Sequence, residues 1–321
     1  MKTPTIRFIL GIGLLSLMSC SVFQKKQINP HVNNTPGTFA INETLLCDQS
    51  ETSNFNWLEY LYWTGRIYGD SSQIYLDCLP NVELWSEIEC LTQYTDYYLR
   101  HPAYMNYPVV GITKEQALNF SKWRSDMVFH YILIRDGILD YDTEQTVDHH
   151  FSIENYFTGK YPAPNDTIGE IIYIDFKPDL TMPYPVYRLP TFDERQLILA
   201  YVDSTESVYR TKKRKKAEEW DEYSRGYQTD IEPCYKDSVT KVKEKPMVHV
   251  NFGLPDKHYR FKLVYNTRGN VAEWADEDNI TYGGGWRDSL EQVLENDTIR
   301  CLKENVWTGF RNVVTWEKWK P

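Results

Sequence analysis

Apolar residues recur at helical spacing in three stretches of the chain. Two of these stretches begin with a capping box, in which two polar side chains satisfy each other's free backbone amides: Thr113–Gln116 and Thr191–Glu194. A third helix is predicted to begin near Asn54. The apolar residues that carry these periods are Ala117, Phe120 and Trp123, then Leu197, Ile198 and Tyr201, and finally Trp57, Leu58, Leu61 and Tyr62.

Between these helices lie short stretches rich in Tyr, Val and Ile, which predict short strands. Ile171–Phe176 and Lys262–Tyr265 are two of them, and proline, glycine and asparagine interrupt the sequence around such stretches. We therefore predict an α+β domain with two or three helices, short strands, many loops and few long elements.

The N-terminus has the pattern of a targeting segment. Lys2 and Arg7 precede an apolar run, Phe8–Met18, that is too short to span a membrane. Leu17–Cys20 resembles a bacterial lipobox, so we predict a signal peptide over 1–19, a lipid on Cys20 and a polar tether over 20–37. An ordinary secretory signal is the alternative. The protein is then expected in the bacterial cell envelope, at the outer membrane.

Composition supports a folded domain and argues against nucleic-acid binding. Hydrophobic residues make up 41% of the 321 positions, which is enough for a core, and the net charge of -10 opposes phosphate binding. The basic run Arg210–Lys216 is followed by acidic residues and is typical of a solvated face. His149 and His150 lie in a polar stretch and are interpreted as exposed rather than as metal ligands.

Several short segments occur in an order that resembles the formylglycine-generating enzyme family, also known as the sulfatase-modifying factors. Each segment is weak by itself, but together they span about 39–314 and point to one fold. The matching segments are Glu51–Asn54, Tyr107–Ser125, Tyr187–Glu194, Gly269–Trp274, Gly283–Asp288 and Gly309–Arg311.

The resemblance implies a single domain over 38–321 with the C-type-lectin-like fold, and divergent inserts near 137–180 and 203–250. Because such a fold has few regular ladders, side chains must hydrogen-bond its buried loops, and we expect Arg188, Asn270, Glu273 and Arg311 to do so. The motif positions expected to be structural are Trp123, Arg124, Arg188, Pro190, Trp274, Trp286 and Arg311.

The family's copper-dependent oxidation needs two cysteines shortly after a turn that corresponds here to Gly283–Trp286. The matching stretch, Arg287–Val293, contains no cysteine, and Cys301 comes fifteen positions after Trp286. Since soft thiolates are what Cu(I) requires, the resemblance implies the scaffold without the reaction, with no catalytic residue and no required cofactor.

The remaining cysteines leave several arrangements open. If Cys20 carries lipid, an odd number remains in a compartment where disulfides form. Cys78 and Cys90 could pair, or a loop could bring Cys301 beside Cys234.

Calcium is a second open question, because family members can hold it near the Gly269–Trp274 segment. Asn270 and Glu273 would supply oxygen ligands there. A buried ion pair between Glu273 and Arg311 is the competing interpretation.

Three functional hypotheses follow. The first is a non-catalytic, lipid-anchored scaffold that binds an envelope protein, since Cys20, His101–Tyr104 and Ala272 resemble the gliding-motility lipoproteins and their secretion-system relatives. The second is a divergent oxidoreductase using Cys234 or Cys301, and the third is a carbohydrate- or peptide-binding module. An open pocket lined by Trp286, Asp288 and Cys301 would favour an enzyme, and one filled by side chains would favour a scaffold.

Overall fold

The structure analysed is a computed structural model, in which 205–212 are described by their backbone alone. It describes residues 31, 34–142, 144–161, 177–212, 247, 250, 264–295 and 297–321. Cys20, the signal segment 1–19, most of the tether, Cys234, Ile171–Phe176 and the centres of both inserts lie outside these residues. Within them, no helix combines the length and the apolar character needed to cross a membrane.

Three long helices occur at the three predicted positions. They are α1 (Asn54–Tyr68), α4 (Lys114–Arg135) and α6 (Phe192–Lys212). Four short helices, α2 (Gln73–Asp77), α3 (Tyr94–Tyr97), α5 (Ile153–Phe157) and α7 (Leu290–Glu295), and 3-10 turns at Val82–Glu87, Glu89–Leu91 and Pro102–Tyr104 complete the helical part. Because α4 has 22 residues and α6 has 21, the expectation of few long elements holds only for the strands.

The predicted capping boxes are present and explain where the helices begin. At α4, the Gln116 amide N–H donates to Thr113 Oγ1 at 3.1 Å, and the Thr113 N–H donates to Gln116 Oε1 at 2.9 Å. Ser53 and Asn56 form a third box at α1, which was not predicted because an asparagine replaces the usual Glu or Gln.

The strands form two four-stranded sheets. The first has the order β1 (Thr38–Ala40), β2 (Leu46–Asp48), β8 (Val313–Lys318), β3 (Pro183–Arg188), and the second has the order β6 (Thr298–Arg300), β5 (Ile280–Tyr282), β4 (Ala272–Trp274), β7 (Thr308–Gly309). All pairs are antiparallel except β4 with β7. The described part of the predicted strand Lys262–Tyr265, residues 264–265, is not strand. The architecture is α+β, as predicted.

Aromatic packing joins the helices to the loops that carry the motifs. Trp57 of α1 stacks on Phe120 of α4 with ring centroids 5.4 Å apart, and both contact Phe310 edge-on. Trp274 belongs to this cluster, whereas Trp286 belongs to a second one with Trp85 and Tyr98. The motif segments are thus held between two parts of one apolar interior.

Candidate functional site

Glu273 is the centre of a buried network of charged side chains. Its Oε1 accepts from Arg311 Nε at 2.7 Å, and its Oε2 lies 3.4 Å from Arg195 Nη1. All three side chains are almost fully enclosed. Burial alone lowers the pKa of Arg311, but the Glu273 carboxylate outweighs it and raises that pKa above its ordinary value. The Arg311 guanidinium therefore stays charged beside the Glu273 carboxylate.

The guanidinium of Arg311 also bonds to the end of β2 and to the loop at Tyr265. Its Nη1 donates to the Asp48 carbonyl at 3.2 Å, and its Nη2 donates to the Tyr265 carbonyl at 2.6 Å. Two separate chain segments are thereby joined to the turn after β7. This is the loop-bonding role that the sequence predicts for Arg311.

Arg195 performs a similar task at the start of α6. It donates Nε to Asp297 Oδ2 at 2.8 Å and Nη2 to Asp297 Oδ1 at 2.9 Å, and Nη2 also donates to the Thr267 carbonyl. Neither Arg195 nor Asp297 was predicted as a functional residue, and Asp297 lies outside every motif. An arginine one turn into a buried helix is the signal that could have found Arg195.

Arg188 bonds both to the helix cap and to the carbonyl of Leu189, which its Nη1 reaches at 3.3 Å. Its two terminal nitrogens donate to the two oxygens of Glu194 at 2.7 and 2.6 Å, and Glu194 Oε2 also accepts the Thr191 amide at 3.0 Å. Pro190 forms the corner between Arg188 and Thr191. Arg188 therefore holds the corner at Pro190 through the Glu194 carboxylate and a backbone carbonyl.

Glu51 is a buried acid at the start of the motif segment Glu51–Asn54, and no role was predicted for it. Asn270 Nδ2 donates to its Oε1 at 2.9 Å, and Asn266 Nδ2 donates to its Oε2 at 3.0 Å. Burial raises the pKa of Glu51 to about 8, although the Arg311 charge opposes this. Glu51 is therefore mostly protonated at neutral pH.

The predicted calcium ligands do not fit a calcium ion as they are placed. Glu273 faces two guanidinium groups, and Asn270 turns its amide nitrogen towards Glu51. Calcium needs six to eight oxygen ligands without competing cations beside them. Among the described residues, no group of three or more His, Cys, Asp or Glu side chains could hold a metal ion.

The two motif tryptophans anchor loops through their indole nitrogens. Trp274 Nε1 donates to the Ile112 carbonyl and Trp286 Nε1 to the Val306 carbonyl, each at 3.0 Å. Both rings are buried, so Trp286 does not share an open pocket with Asp288 and Cys301 as expected from the sequence.

The turn before Trp286 has little room for side chains. Gly283 has φ +79°, and a Cβ there would lie 2.6 Å from the Thr267 carbonyl oxygen, whereas one at Gly159, with φ +72°, would meet nothing within 4 Å. Gly159→Ala should cost about 1 kcal/mol of backbone strain. Gly283→Ala should cost about 1–3 kcal/mol more, because the backbone must also move. Urea unfolding of the two variants measures this difference. Equal losses of unfolding free energy would show that the Thr267 carbonyl moves away from the new Cβ at no cost.

The segment after Trp286 borders an open cleft of about 420 Å³, with Asp288, Cys301 and Trp307 among its walls. Asp288 Oδ2 accepts the Gly285 amide at 2.7 Å, and the Arg287 guanidinium lies 4.8 Å from the centre of the Trp307 ring. Two residues of the segment Arg287–Val293, Arg287 and Asp288, therefore shape the cleft.

Cys301 is a half-buried free thiol in this cleft. Its Sγ is 3.3 Å from the Lys303 carbonyl, 3.5 Å from Asn305 Nδ2 and 3.9 Å from Thr308 Oγ1. Burial raises the pKa of Cys301 above its ordinary value, so the thiol is protonated at neutral pH. A protonated thiol is a weak nucleophile and a poor ligand for a metal.

The cysteine arrangement differs from one suggested by the sequence. Cys78 is a free, buried thiol 2.9 Å from the Tyr60 hydroxyl, whereas Cys90 is in a disulfide whose partner lies outside the described residues. Cys78 therefore does not pair with Cys90, and Cys301 does not pair with Cys234.

Trp123 and Arg124 lie together on α4, beside a second cavity. Arg124 Nη1 donates to Asp48 Oδ2 at 2.7 Å, and its guanidinium lies 4.3 Å from the centre of the Tyr187 ring. Trp123 packs on Tyr60 and Phe120. These contacts support the structural role predicted for both residues.

Comparison with known proteins leaves the family of this chain open. No family model matches the sequence, and no curated protein does. One similar solved structure, described as "Crystal Structure of CarF", has 13% sequence identity and a TM-score of 0.32, and the match covers 84% of this chain and 86% of that one. A likeness at this level carries no argument about fold or function.

Proposed function

We propose that this chain is a non-catalytic envelope protein with a lipid anchor, and that it binds a protein partner. Its scaffold would resemble the formylglycine-generating enzymes and the C-type-lectin-like fold. The partner would belong to an assembly such as gliding-motility or secretion machinery. The observation that carries the proposal is that the charged side chains of the motifs are already bonded within the fold. Glu273, Arg311 and Arg188 are bonded to other parts of the same fold. They stabilise a rigid frame and are not free to act on a substrate.

The cleft beside Cys301 has features suited to a peptide segment. Leu302 is 67% exposed at its border, and Trp307 provides a partly buried aromatic surface under Arg287. The adjoining β6 is one of the two edge strands of its sheet among the described residues. An extended segment could add to such an edge through backbone hydrogen bonds and place side chains in the cleft. Exposed leucine and aromatic groups would supply the apolar contacts.

Photo-crosslinking in cells that produce the full chain tests this function. A photoreactive phenylalanine analogue at Leu302 should give one discrete adduct with an envelope protein, and Trp307→Ala should abolish it. The matched control is the same analogue at Leu118, which is 38% exposed and lines neither the cleft nor the cavity beside Trp123. Absence of an adduct at Leu302, or the same adducts at both positions, would refute partner binding at the cleft.

A divergent oxidoreductase is the second candidate, because the cleft is open and contains a free thiol. Cys301→Ser separates the two functions. If the protein only binds a partner, the adduct at Leu302 persists in this variant and neither form consumes dioxygen in the presence of copper and a thiol substrate. Dioxygen consumption that disappears with Cys301→Ser would establish the enzyme instead.

A further inference from the structure

A second cavity, of about 570 Å³, lies between α1 and α4 on one side and the chain around Gly37 and Asp48 on the other. It shares no lining residue with the cleft at Cys301. Its size falls within the range of about 300–1,000 Å³ that is typical of small-molecule pockets. Because the proposed partner binding does not use this cavity, any ligand of the cavity must be inferred from its own wall.

The lining residues of the two helices follow one face of each helix. Glu59 and Trp63 are four positions apart on α1, and Trp123, Met127 and Tyr131 recur at the same interval on α4. Side chains four positions apart lie one above the other on a helix. The wall is therefore built from two helix faces, and its aromatic residues belong to both of them.

Four aromatic side chains in this wall are partly open to solvent. Tyr131 and Tyr141 are 55% and 60% exposed, and Trp63 and Trp123 are half-buried. The face of an aromatic ring carries partial negative charge and attracts cations, most strongly in tryptophan. Two tryptophans and two tyrosines around one cavity therefore favour a positively charged ligand.

The charges in the wall also favour a cation. Asp48 and Arg124 form an ion pair at 2.7 Å, so their charges balance. Burial raises the pKa of Glu51 to about 8 and lowers the pKa of His130 to about 4, so both are mostly uncharged at neutral pH. Glu59 is exposed and has no ion pair in the part of the chain that the structure describes. Its carboxylate leaves the wall with a negative charge.

The buried polar atoms of the lining residues are not available to a ligand. Asp48 Oδ1, Thr52 Oγ1 and Trp123 Nε1 have almost no accessible surface, so a molecule in the cavity does not reach them. A quaternary ammonium group has no N–H and loses nothing where hydrogen-bond partners are few. A primary ammonium group would leave donors unpaired over the rings, which is costly.

We propose that the cavity between α1 and α4 binds a quaternary ammonium group, held against Trp63, Trp123, Tyr131 and Tyr141 and attracted by the Glu59 carboxylate. Recognition of this kind depends on cation–π attraction and on charge rather than on directional hydrogen bonds. A free small molecule and a lipid head group can both carry the trimethylammonium group, and the experiment separates these two sources.

Isothermal titration calorimetry of the full chain, solubilised in a maltoside detergent, tests the proposal. Choline should bind, and 3,3-dimethylbutan-1-ol, which has the same shape without the charge, should bind at least about tenfold more weakly. Ethanolamine, whose ammonium group keeps its N–H donors, should also bind more weakly than choline. Phosphocholine separates the sources: binding tighter than that of choline assigns the cavity to a lipid head group, and binding no tighter assigns it to a free cation.

Variants of exposed residues connect the binding to the cavity. Tyr131→Leu removes one ring and should weaken choline binding about two- to fivefold, whereas Tyr131→Phe keeps the ring and should retain the wild-type affinity. Glu59→Gln should also weaken binding, because it removes the negative charge. Tyr97→Leu is the matched control, since Tyr97 is 52% exposed and does not line the cavity, and it should leave the affinity unchanged.

Three results would overturn the proposed site. The first is the absence of choline binding by the wild-type chain. The second is equal binding of choline and either 3,3-dimethylbutan-1-ol or ethanolamine, because the charge or the methyl groups would then not be recognised; this comparison needs no variant. The third is choline binding that neither Tyr131→Leu nor Glu59→Gln weakens, because the cation would then lie elsewhere.

Discussion

Glu273→Gln is expected to lower the free energy of unfolding by about 3–5 kcal/mol, because it leaves two buried guanidinium groups without their shared carboxylate. Arg195 and Arg311 are both fully enclosed, so water cannot replace the lost charge. Chemical unfolding followed by tryptophan fluorescence measures the change. Arg195 keeps Asp297, whereas Arg311 retains mainly backbone carbonyls, so the larger part of the loss should come from Arg311.

The matched control is Asp278→Asn, which removes an exposed partner of Lys114. Asp278 has a side chain that is 92% exposed and lies 2.8 Å from the Lys114 ammonium. Solvent screens such a pair, so its loss should lower the free energy of unfolding far less than Glu273→Gln does. Similar losses in Glu273→Gln and Asp278→Asn would show that the buried network contributes no more than a surface ion pair.

The wild-type free energy of unfolding is expected to fall by about 1–2 kcal/mol between pH 6.5 and 8, and Glu51→Gln is expected to remove this fall. Burial raises the pKa of Glu51 from 4.5 to about 8 in the folded protein. The folded state therefore holds a proton that the unfolded state has already released. Stability from this group is complete below about pH 4.5 and is lost as the pH rises through 8.

The pH range avoids two other buried groups. Burial raises the pKa of Asp126 to about 6 and lowers the pKa of His130 to about 4, so both titrate mainly below pH 6.5. Urea unfolding at fixed pH values gives the slope for each protein. An equal slope in Glu51→Gln would mean that another group releases the proton, whatever the absolute stability of the variant.

Local patterns along the chain were sufficient for the helix starts. Thr113 with Gln116, and Thr191 with Glu194, each bond within four residues, so their geometry depends little on the remaining fold. Local patterns were also sufficient to predict the α+β class. Ser53 with Asn56 was missed only because the side chain at the third position was unusual.

The candidate site could be predicted only in part. Arg188 was expected to bond to a loop, and its bond to Glu194, six residues away, was not expected. The partners of Glu273 come from two distant segments. A motif identifies residue types but not which oxygen faces which guanidinium. Asn270 and Glu273 looked suited to calcium for this reason, and their observed partners leave no such set of oxygens.

Sequence alone determined where the three long helices begin and that Arg287–Val293 contains no cysteine. Tertiary structure decided the burial of Glu51, the free thiols of Cys78 and Cys301 and the cavity at Trp123. The physical reason is the distance along the chain over which each effect acts. Capping and periodicity act within a few residues, whereas burial, charge pairing and cavities depend on segments that meet only after the chain has folded.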